Sequence, residues 1–154
     1  MTLTIDRADF ADPTLGRFLQ DHLDDLEPTA PAESRHALDL GGLQAPGVRM
    51  WVSRDPDGIV GTAALATLEG RHEELKSMRT DPRLRGRGIA RGLLAHVLAD
   101  ARERGIRRVS LETGSMAFFE PARRFYTQAG FVPCPPFGSY VDDPNSVFMT
   151  LALA

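Results

Sequence analysis

A glycine- and arginine-rich turn joins a strand-like segment to the longest amphipathic helix pattern in the sequence. Residues 73–80 (EELKSMRT) have the character of a β-strand that stops at Asp81 and Pro82. From near Gly86 to Arg104 the apolar residues recur at helical spacing, and Gly105 is the expected glycine after the helix end. A strand, a tight turn and a long helix in this order indicate an α/β fold.

The rest of the chain alternates between strand and helix patterns. The expected strands are residues 3–7, 48–54, 59–69, 107–113 and 146–153, with 48–54 and 59–69 joined as a hairpin through Asp-Pro-Asp-Gly. The expected helices are one that starts at Asp12 and Pro13, one over residues 32–40 that Gly41 and Gly42 end, and one over residues 118–129. We therefore predict a single mixed α/β domain over residues 1–154.

Composition and charge exclude several classes of protein. At 154 residues, with 42% hydrophobic and 25% charged residues, the chain is long enough for one sizeable core. It contains no apolar run of 18 residues and no signal-peptide pattern, so we expect a soluble cytoplasmic protein without a membrane partner. A net charge of −3 disfavours nucleic acid as a partner. One cysteine, Cys134, and four scattered histidines predict neither a disulfide nor a metal site.

The turn before the long helix has the features of a phosphate-binding cradle. Small residues at 86, 88 and 90 let successive N–H groups point into one concavity, to which the start of the helix adds its own donors. Arginines at 83, 85, 87 and 91 add positive charge. A plain strand–helix connection has the same local pattern. The GxGxxG and GxxxxGK[ST] motifs are absent, which leaves coenzyme A as the phosphate-bearing cofactor that suits this turn.

Three segments carry a resemblance to a known family. Residues 85–90 (RGRGIA) resemble the R/Q-x-x-G-x-G/A pattern of the GNAT superfamily of acyl-CoA-dependent N-acetyltransferases. Residues 74–80 before this segment and residues 123–131 (RRFYTQAGF) after it extend the match, the latter resembling the family's FYxxxGF signature. The resemblance spans residues 48–153. It implies a mixed, mostly antiparallel sheet of six to seven strands, splayed between its central strands and flanked by about four helices.

The resemblance also implies which residues bind the cosubstrate, acetyl-CoA. A bulge in the strand 73–80 would splay it from the strand 107–113 and open a slot for the thioester. The Met78 N–H would then face the thioester carbonyl as negative charge develops on it. The implied cofactor-binding residues are Met78, Arg79, Thr80, Arg85, Gly86, Arg87, Gly88, Ile89 and Ala90.

Two residues are candidates for proton transfer. Glu74 stands eleven residues before Arg85, where some members of the family have a general-base glutamate. In a regular strand Glu74, Lys76 and Met78 share one face, which would direct Glu74 to the slot; the alternative is that Glu73 and Glu74 form a solvated strand start. Tyr126 occupies the position of the family's general-acid tyrosine, and its alternative role is a core aromatic.

Acceptor binding is assigned to residues beyond these motifs. Glu112 ends the strand after the long helix, where many relatives have asparagine, and Tyr140 and Asp143 lie in the loop before the last strand. The acidic segment 21–39 would favour a cationic amine at the entrance, or it is solvated surface.

We expect direct acetyl transfer to a primary amine, and we expect this amine to belong to a small molecule. One alternative acceptor is the N-terminus or a lysine of a protein, and another possible function is an acyl-CoA sensor without turnover. An RNA-binding function is disfavoured, because this sequence lacks aromatic residues interleaved with the arginine cluster. The family resemblance also allows a homodimer.

Overall fold

The computed structural model describes residues 2–26, 28 and 40–153. Seven strands and four α-helices are present in this part of the chain. The strands are β1 (Thr4–Arg7), β2 (Val48–Asp55), β3 (Gly58–Thr67), β4 (His72–Thr80), β5 (Arg108–Gly114), β6 (Val132–Pro133) and β7 (Ser146–Ala152). The helices are α1 (Pro13–Leu26), α2 (Leu40–Leu43), α3 (Ile89–Glu103) and α4 (Glu120–Gln128), with short 3₁₀ turns at Pro82–Leu84 and Ala117–Phe119.

The strands form one sheet in the order β1-β2-β3-β4-β5-β7-β6. All neighbouring strands are antiparallel except β4 and β5, which are parallel and pair only over His72–Glu74 and Arg108–Ser110. Beyond these three residue pairs the two strands separate. The predicted mixed, mostly antiparallel sheet that splays at its centre is therefore confirmed.

A β-bulge in β4 accompanies this separation. The register against β3 pairs Ala64 with Lys76 but Thr62 with Arg79, so β4 carries one extra residue in between. Ser77 has φ 52°, a left-handed conformation, and its carbonyl accepts a 2.8 Å hydrogen bond from Thr62 Oγ1. A bulge bends its strand and increases the local twist. The second half of β4 is thereby directed away from β5, as the family resemblance implies.

The two faces of the sheet bury different clusters. On one face, α3 and α4 cover a core in which Trp51, Leu65, Leu111 and Phe131 are buried. On the other face, α1 and α2 cover a smaller cluster that comprises Leu15, Leu19, Leu43, Met50, Val52 and Ala64. The second cluster lies under the β2–β3 half of the sheet. The same face of the β4–β5–β7 half carries polar side chains, which form part of the site described below.

Three local expectations differ from the structure. The helix α3 begins at Ile89 rather than near Gly86, because Gly86 and Gly88 both have φ 80° and cannot continue a right-handed helix. Helix α2 runs through Gly41 and Gly42 instead of ending there, and the rest of the helix expected over 32–40 lies outside the described residues. The seventh of the expected six to seven strands is the short edge strand β6, which lies where the sequence shows no strand pattern. It contains Pro133, which an edge strand tolerates because a proline has no N–H and the open side of the strand needs no donor.

Candidate active site

A cavity of about 510 Å³ lies beside the second half of β4, the part of this strand that has separated from β5. Its walls come from the C-terminal end of α1, the second half of β4, the turn into α3 and the start of α4. The predicted cofactor-binding residues that line it are Met78, Arg79, Thr80, Arg85, Gly86, Gly88, Ile89 and Ala90. Arg87 lies in the same turn but is not part of the lining. The cavity thus brings together eight of the nine residues that the sequence assigned to one ligand.

The turn into α3 forms an open cradle. Gly86 and Gly88 both have φ 80°, and a Cβ built at either position meets no atom within 4 Å and would project into open space. Gly88 caps α3 without a side-chain acceptor, and the first backbone N–H bonded within the helix is that of Gly92, to Gly88 O at 3.0 Å. The preceding N–H groups and the positive end of the helix are therefore available to an anion. With Arg85 and Arg91 in the lining, this cradle fits a diphosphate such as that of coenzyme A.

The arginines near the cradle have different roles. Arg83 forms a 2.9 Å ion pair with Asp81, and its side chain is 87% exposed. Its hydrogen bond to Asp81 lowers the pKa of that carboxyl group. Arg79 pairs with Asp25 of α1 at 2.7 Å and lies over the ring of Phe18. Both charges are therefore already compensated within the chain, which leaves Arg85 and Arg91 as the cradle's cations.

Tyr126 of α4 lies at the cavity wall and is only 7% exposed. Its ring makes edge contacts with Phe125 and Phe131, so it belongs to the core and to the cavity lining at once. Burial raises the pKa of its phenol well above the ordinary value. The hydroxyl therefore stays protonated at neutral pH, as a proton donor must.

Arg123, one turn before Tyr126, fixes α4 to the end of β5. Its Nη1 donates hydrogen bonds to the carbonyls of Gly114 at 2.6 Å and Met116 at 3.0 Å. Gly114 is required there, because a Cβ at this position would lie 2.1 Å from the ring of Phe119. The sequence contains Arg123 in the family signature, but nothing in the pattern indicates this anchoring role.

Glu74 lies in a hydrogen-bonded group that includes Tyr140. The Tyr140 hydroxyl donates to Glu74 Oε2 at 2.5 Å, and Lys76 Nζ donates to the same oxygen and to the Tyr140 oxygen at 3.1 Å each. Burial and the charge of Glu74 raise the pKa of Tyr140 above its usual range. Glu74 is 7% exposed and does not line the cavity. The sequence assigned Glu74 and Tyr140 separate roles, whereas the structure places them in direct contact.

Glu112 of β5 completes this group of side chains. Ser146 Oγ donates to its Oε2 at 2.7 Å. Burial, together with the negative charges of Glu74 and Asp143, raises the pKa of Glu112 to about 7, although the Ser146 hydrogen bond and Lys76 oppose the shift. We call Glu74, Lys76, Glu112, Tyr140 and Asp143 the carboxylate cluster. Lys76 is the member to which the sequence analysis assigned no role; its position two residues after Glu74 on a strand was the available signal.

The bulge overturns the expectation that Met78 shares a face with Glu74 and Lys76. Met78 packs against the core cluster that contains Leu75, because the extra residue at Ser77 reverses the alternation beyond it. The alternative of a solvated strand start at Glu73 and Glu74 is also wrong. Glu73 is 3% exposed and forms a two-point ion pair with Arg104, the residue directly after α3, at 2.7 and 2.9 Å.

Residues 2–26, 28 and 40–153 lack two further kinds of feature. These residues contain no group of three or more His, Cys, Asp or Glu side chains that could hold a metal ion. In the same part of the chain, no helix has the length and hydropathy that a membrane span requires.

Comparisons with known proteins agree with this geometry. Residues 15–131 match the family model described as Acetyltransferase (GNAT) family. The chain is 46% identical over 135 residues to the uncharacterized N-acetyltransferase YsnE of Bacillus subtilis, which covers 88% of this chain and 89% of that protein.

Solved structures share the fold over nearly the whole chain. A Klebsiella pneumoniae protein assigned as an acyl-CoA N-acyltransferase superposes with a TM-score of 0.80 and 30% identity, covering 99% of both chains. An aminoglycoside 6′-N-acetyltransferase solved with coenzyme A has a TM-score of 0.73 at 17% identity, covering 98% of this chain and 97% of that one, and shows the fold alone. From its sequence match, its relatives and its open sheet, this chain belongs to the GNAT family of acyl-CoA-dependent N-acetyltransferases.

Proposed function

We propose that this protein transfers an acetyl group from acetyl-CoA directly to a primary amine of a small molecule. The observation that carries the proposal is the cavity beside the second half of β4, which joins the diphosphate cradle at Gly86 and Gly88 to the phenol of Tyr126. Acetyl-CoA supplies an activated acyl thioester when bound. The remaining chemistry is the work of the side chains and backbone around that cavity.

The proposed roles around the cavity follow from position and charge. The backbone N–H groups at the start of α3, with Arg85 and Arg91, hold the diphosphate. Met78 follows the bulge directly, and we assign its N–H to the thioester carbonyl. Tyr126, protonated at neutral pH, donates a proton to the leaving sulfur.

The carboxylate cluster supports a cationic amine as the acceptor. Two carboxyl groups (Glu74 and Glu112) face one ammonium group, that of Lys76, and the charge of Asp143 also acts on Glu112. Such a site attracts a cation and repels an acceptor that carries a carboxylate beside its amine. We therefore expect small alkylamines and diamines to react better than α-amino acids.

Direct transfer is supported by the position of the sequence's sole cysteine. Cys134 follows β6, where its N–H bonds to the carbonyl of Phe148 at 2.9 Å, and it does not line the cavity. Burial raises the pKa of its thiol, which lowers the fraction of nucleophilic thiolate. Neither its place nor its ionisation suits an acyl-cysteine relay.

The test is release of free thiol from acetyl-CoA with a panel of amines, together with calorimetric titration of coenzyme A. The panel contains monoamines, diamines, α-amino acids, a peptide with a free N-terminus and a lysine peptide. Turnover with the mono- and diamines supports the proposal. Turnover with the peptides alone would replace the small-molecule acceptor by a protein, and tight coenzyme A binding without turnover on any member would indicate a sensor.

A further inference from the structure

The place of Glu112 in the sheet sets it apart from the other carboxylates. The last residue pair between β4 and β5 is Glu74 with Ser110. Glu112 lies two residues further along β5, on the same face as Ser110, where β4 has already turned away. Glu112 therefore lies in the part of β5 that has separated from β4, whereas Glu74 lies where the strands are still paired; neither side chain lines the cavity.

The contacts and exposure of Glu74 and Glu112 also differ. Glu74 is nearly inaccessible, and its Oε2 is shared by Tyr140 and Lys76. Glu112 is partly exposed, and Ser146 holds its Oε2 at 2.7 Å. In the described part of the chain, Oε1 makes no hydrogen bond in either residue, so the two carboxyl groups differ in exposure rather than in free oxygens. Glu112 thus has an oriented carboxyl group that is the more accessible of the two to a substrate.

The surrounding charges also distinguish Glu112 from Glu74. Lys76 lies 3.1 Å from Glu74 and compensates its charge. The groups that face Glu112 are Lys76 and Glu74 from β4, Tyr140 and Asp143 from the loop before β7, and Ser146 from β7. Burial and two of these carboxylates raise the pKa of Glu112 to about 7, so it is a stronger base than an ordinary carboxylate.

We propose that Glu112, rather than Glu74, is the catalytic residue that takes the proton from the acceptor's ammonium group. The inference rests on the proposed function. An N–H bond of the ammonium breaks and an O–H bond forms on Glu112, which leaves the nitrogen lone pair free. The nitrogen then bonds to the acyl carbon, the carbon–sulfur bond breaks and the sulfur receives the proton of Tyr126. The proton that the nitrogen loses as the amide forms restores Tyr126.

The first experiment compares Glu112→Gln with the matched variant Glu74→Gln. The pH profile of kcat/KM is measured with the panel amine that the wild type acetylates fastest. We expect the wild-type profile to rise through a pKa near 7. Glu112→Gln should lose this limb and about 10²- to 10⁴-fold in rate, as expected for a missing general base. Glu74→Gln should keep the limb. A limb that survives in Glu112→Gln, or disappears only in Glu74→Gln, overturns the assignment.

A second variant separates a chemical role from a structural one. The hydrogen bond from Ser146 lowers the pKa of Glu112, so Ser146→Ala should move the limb to higher pH. A residue that only supports the fold would leave the position of the limb unchanged, and an unmoved limb counts against the proposal.

Carbon-13 NMR of glutamate-labelled protein gives a readout that needs no acceptor. One side-chain carboxyl signal should titrate near pH 7 in the wild type and be absent from Glu112→Gln. If no panel amine reacts, the proposed function fails while this titration still reports on Glu112. If turnover is found but the signal persists in Glu112→Gln, the base assignment fails while the function stands.

Discussion

The phenol of Tyr140 donates a 2.5 Å hydrogen bond to Glu74, a residue 66 positions earlier in the sequence. This contact fastens the loop between β6 and β7 to the centre of the sheet. The rings of Phe137 and Phe148 lie against Tyr140 and keep it in place. The loop thereby becomes a wall of the proposed acceptor site, although it contains no regular secondary structure between Cys134 and Asn145.

Replacement of Tyr140 by phenylalanine should raise KM for the amine several-fold and lower kcat less. The variant removes the donor to Glu74 but keeps the aromatic packing, so the loop loses its link to β4 while the core stays intact. Tyr140 does not line the cofactor cavity, and the Kd of coenzyme A should stay at the wild-type value. Steady-state kinetics measures KM and kcat for the amine, and calorimetry measures the Kd of coenzyme A. A weakened affinity for coenzyme A with an unchanged KM for the amine would contradict this placement.

Replacement of Gly88 by glutamate should abolish measurable binding of coenzyme A. The new side chain carries negative charge into the cradle, and the left-handed conformation adds about 1–2 kcal/mol of strain. Gly105, after the other end of α3, has nearly the same φ (81° against 80°) and equally open surroundings. Gly105→Glu is therefore a matched control for strain and charge. Calorimetry should show a wild-type Kd for Gly105→Glu; equal losses in both folded variants would assign the effect to strain.

Replacement of Tyr126 by phenylalanine should lower kcat by about 10²-fold, the usual effect of losing one proton-transfer group. The Kd of coenzyme A should change little, because the ring and its contacts with Phe125 and Phe131 remain. Burial raises the pKa of Tyr126, so its loss of a proton should not limit wild-type activity below about pH 10. Thermal melting checks that the variant is folded. An unchanged kcat would reduce Tyr126 to a packing residue.

Replacement of Glu73 by glutamine should destabilise the protein by about 1–3 kcal/mol. The variant leaves Arg104 without its buried partner. Because Arg104 is partly exposed and keeps its 2.7 Å bond to Asp100, the free energy of unfolding should decrease less than when a fully buried pair is broken. Glu120→Gln, which breaks the exposed pair with Arg124, is the control and should cost only a few tenths of a kcal/mol. Urea unfolding measures both. Equal losses would show that burial does not determine the strength of these pairs.

His22 of α1 should make the stability of the protein fall in acid. Burial, and to a lesser degree the charge of Arg79, lower its pKa to about 4, whereas an unfolded histidine titrates near 6.5. The unfolded chain therefore binds a proton between these values that the folded chain does not, and the free energy of unfolding decreases as pH falls from about 6.5 to 4. His22→Gln removes this group. Urea unfolding at pH 7.5 and 4.5 should show a smaller acid loss for the variant than for the wild type, and an identical loss would exclude His22 as a cause.

Local patterns in the sequence predicted most of the elements, and the family resemblance indicated most of the residues that line the cavity. The apolar stripe of α3, the glycines at 86 and 88 and the order of strands predict the fold, because helix periodicity and left-handed turns are encoded within a few residues. The eight predicted residues that line the cavity come mainly from one continuous stretch around that turn. A ligand that is held by backbone groups of one segment leaves a local signature.

The carboxylate cluster depended on contacts that no local pattern encodes. Its members come from β4, β5 and the loop before β7, and they meet only after the sheet places β7 beside β5. The bulge at Ser77 decided which face of the sheet Met78 occupies. The bulge depends on pairing with β3, a separate segment of the chain, so the residues of β4 alone do not reveal it. Spacing along the chain thus determined where the open cradle lies. The raised pKa of Glu112 comes from burial and neighbouring charge, and both arise only when distant strands pack together.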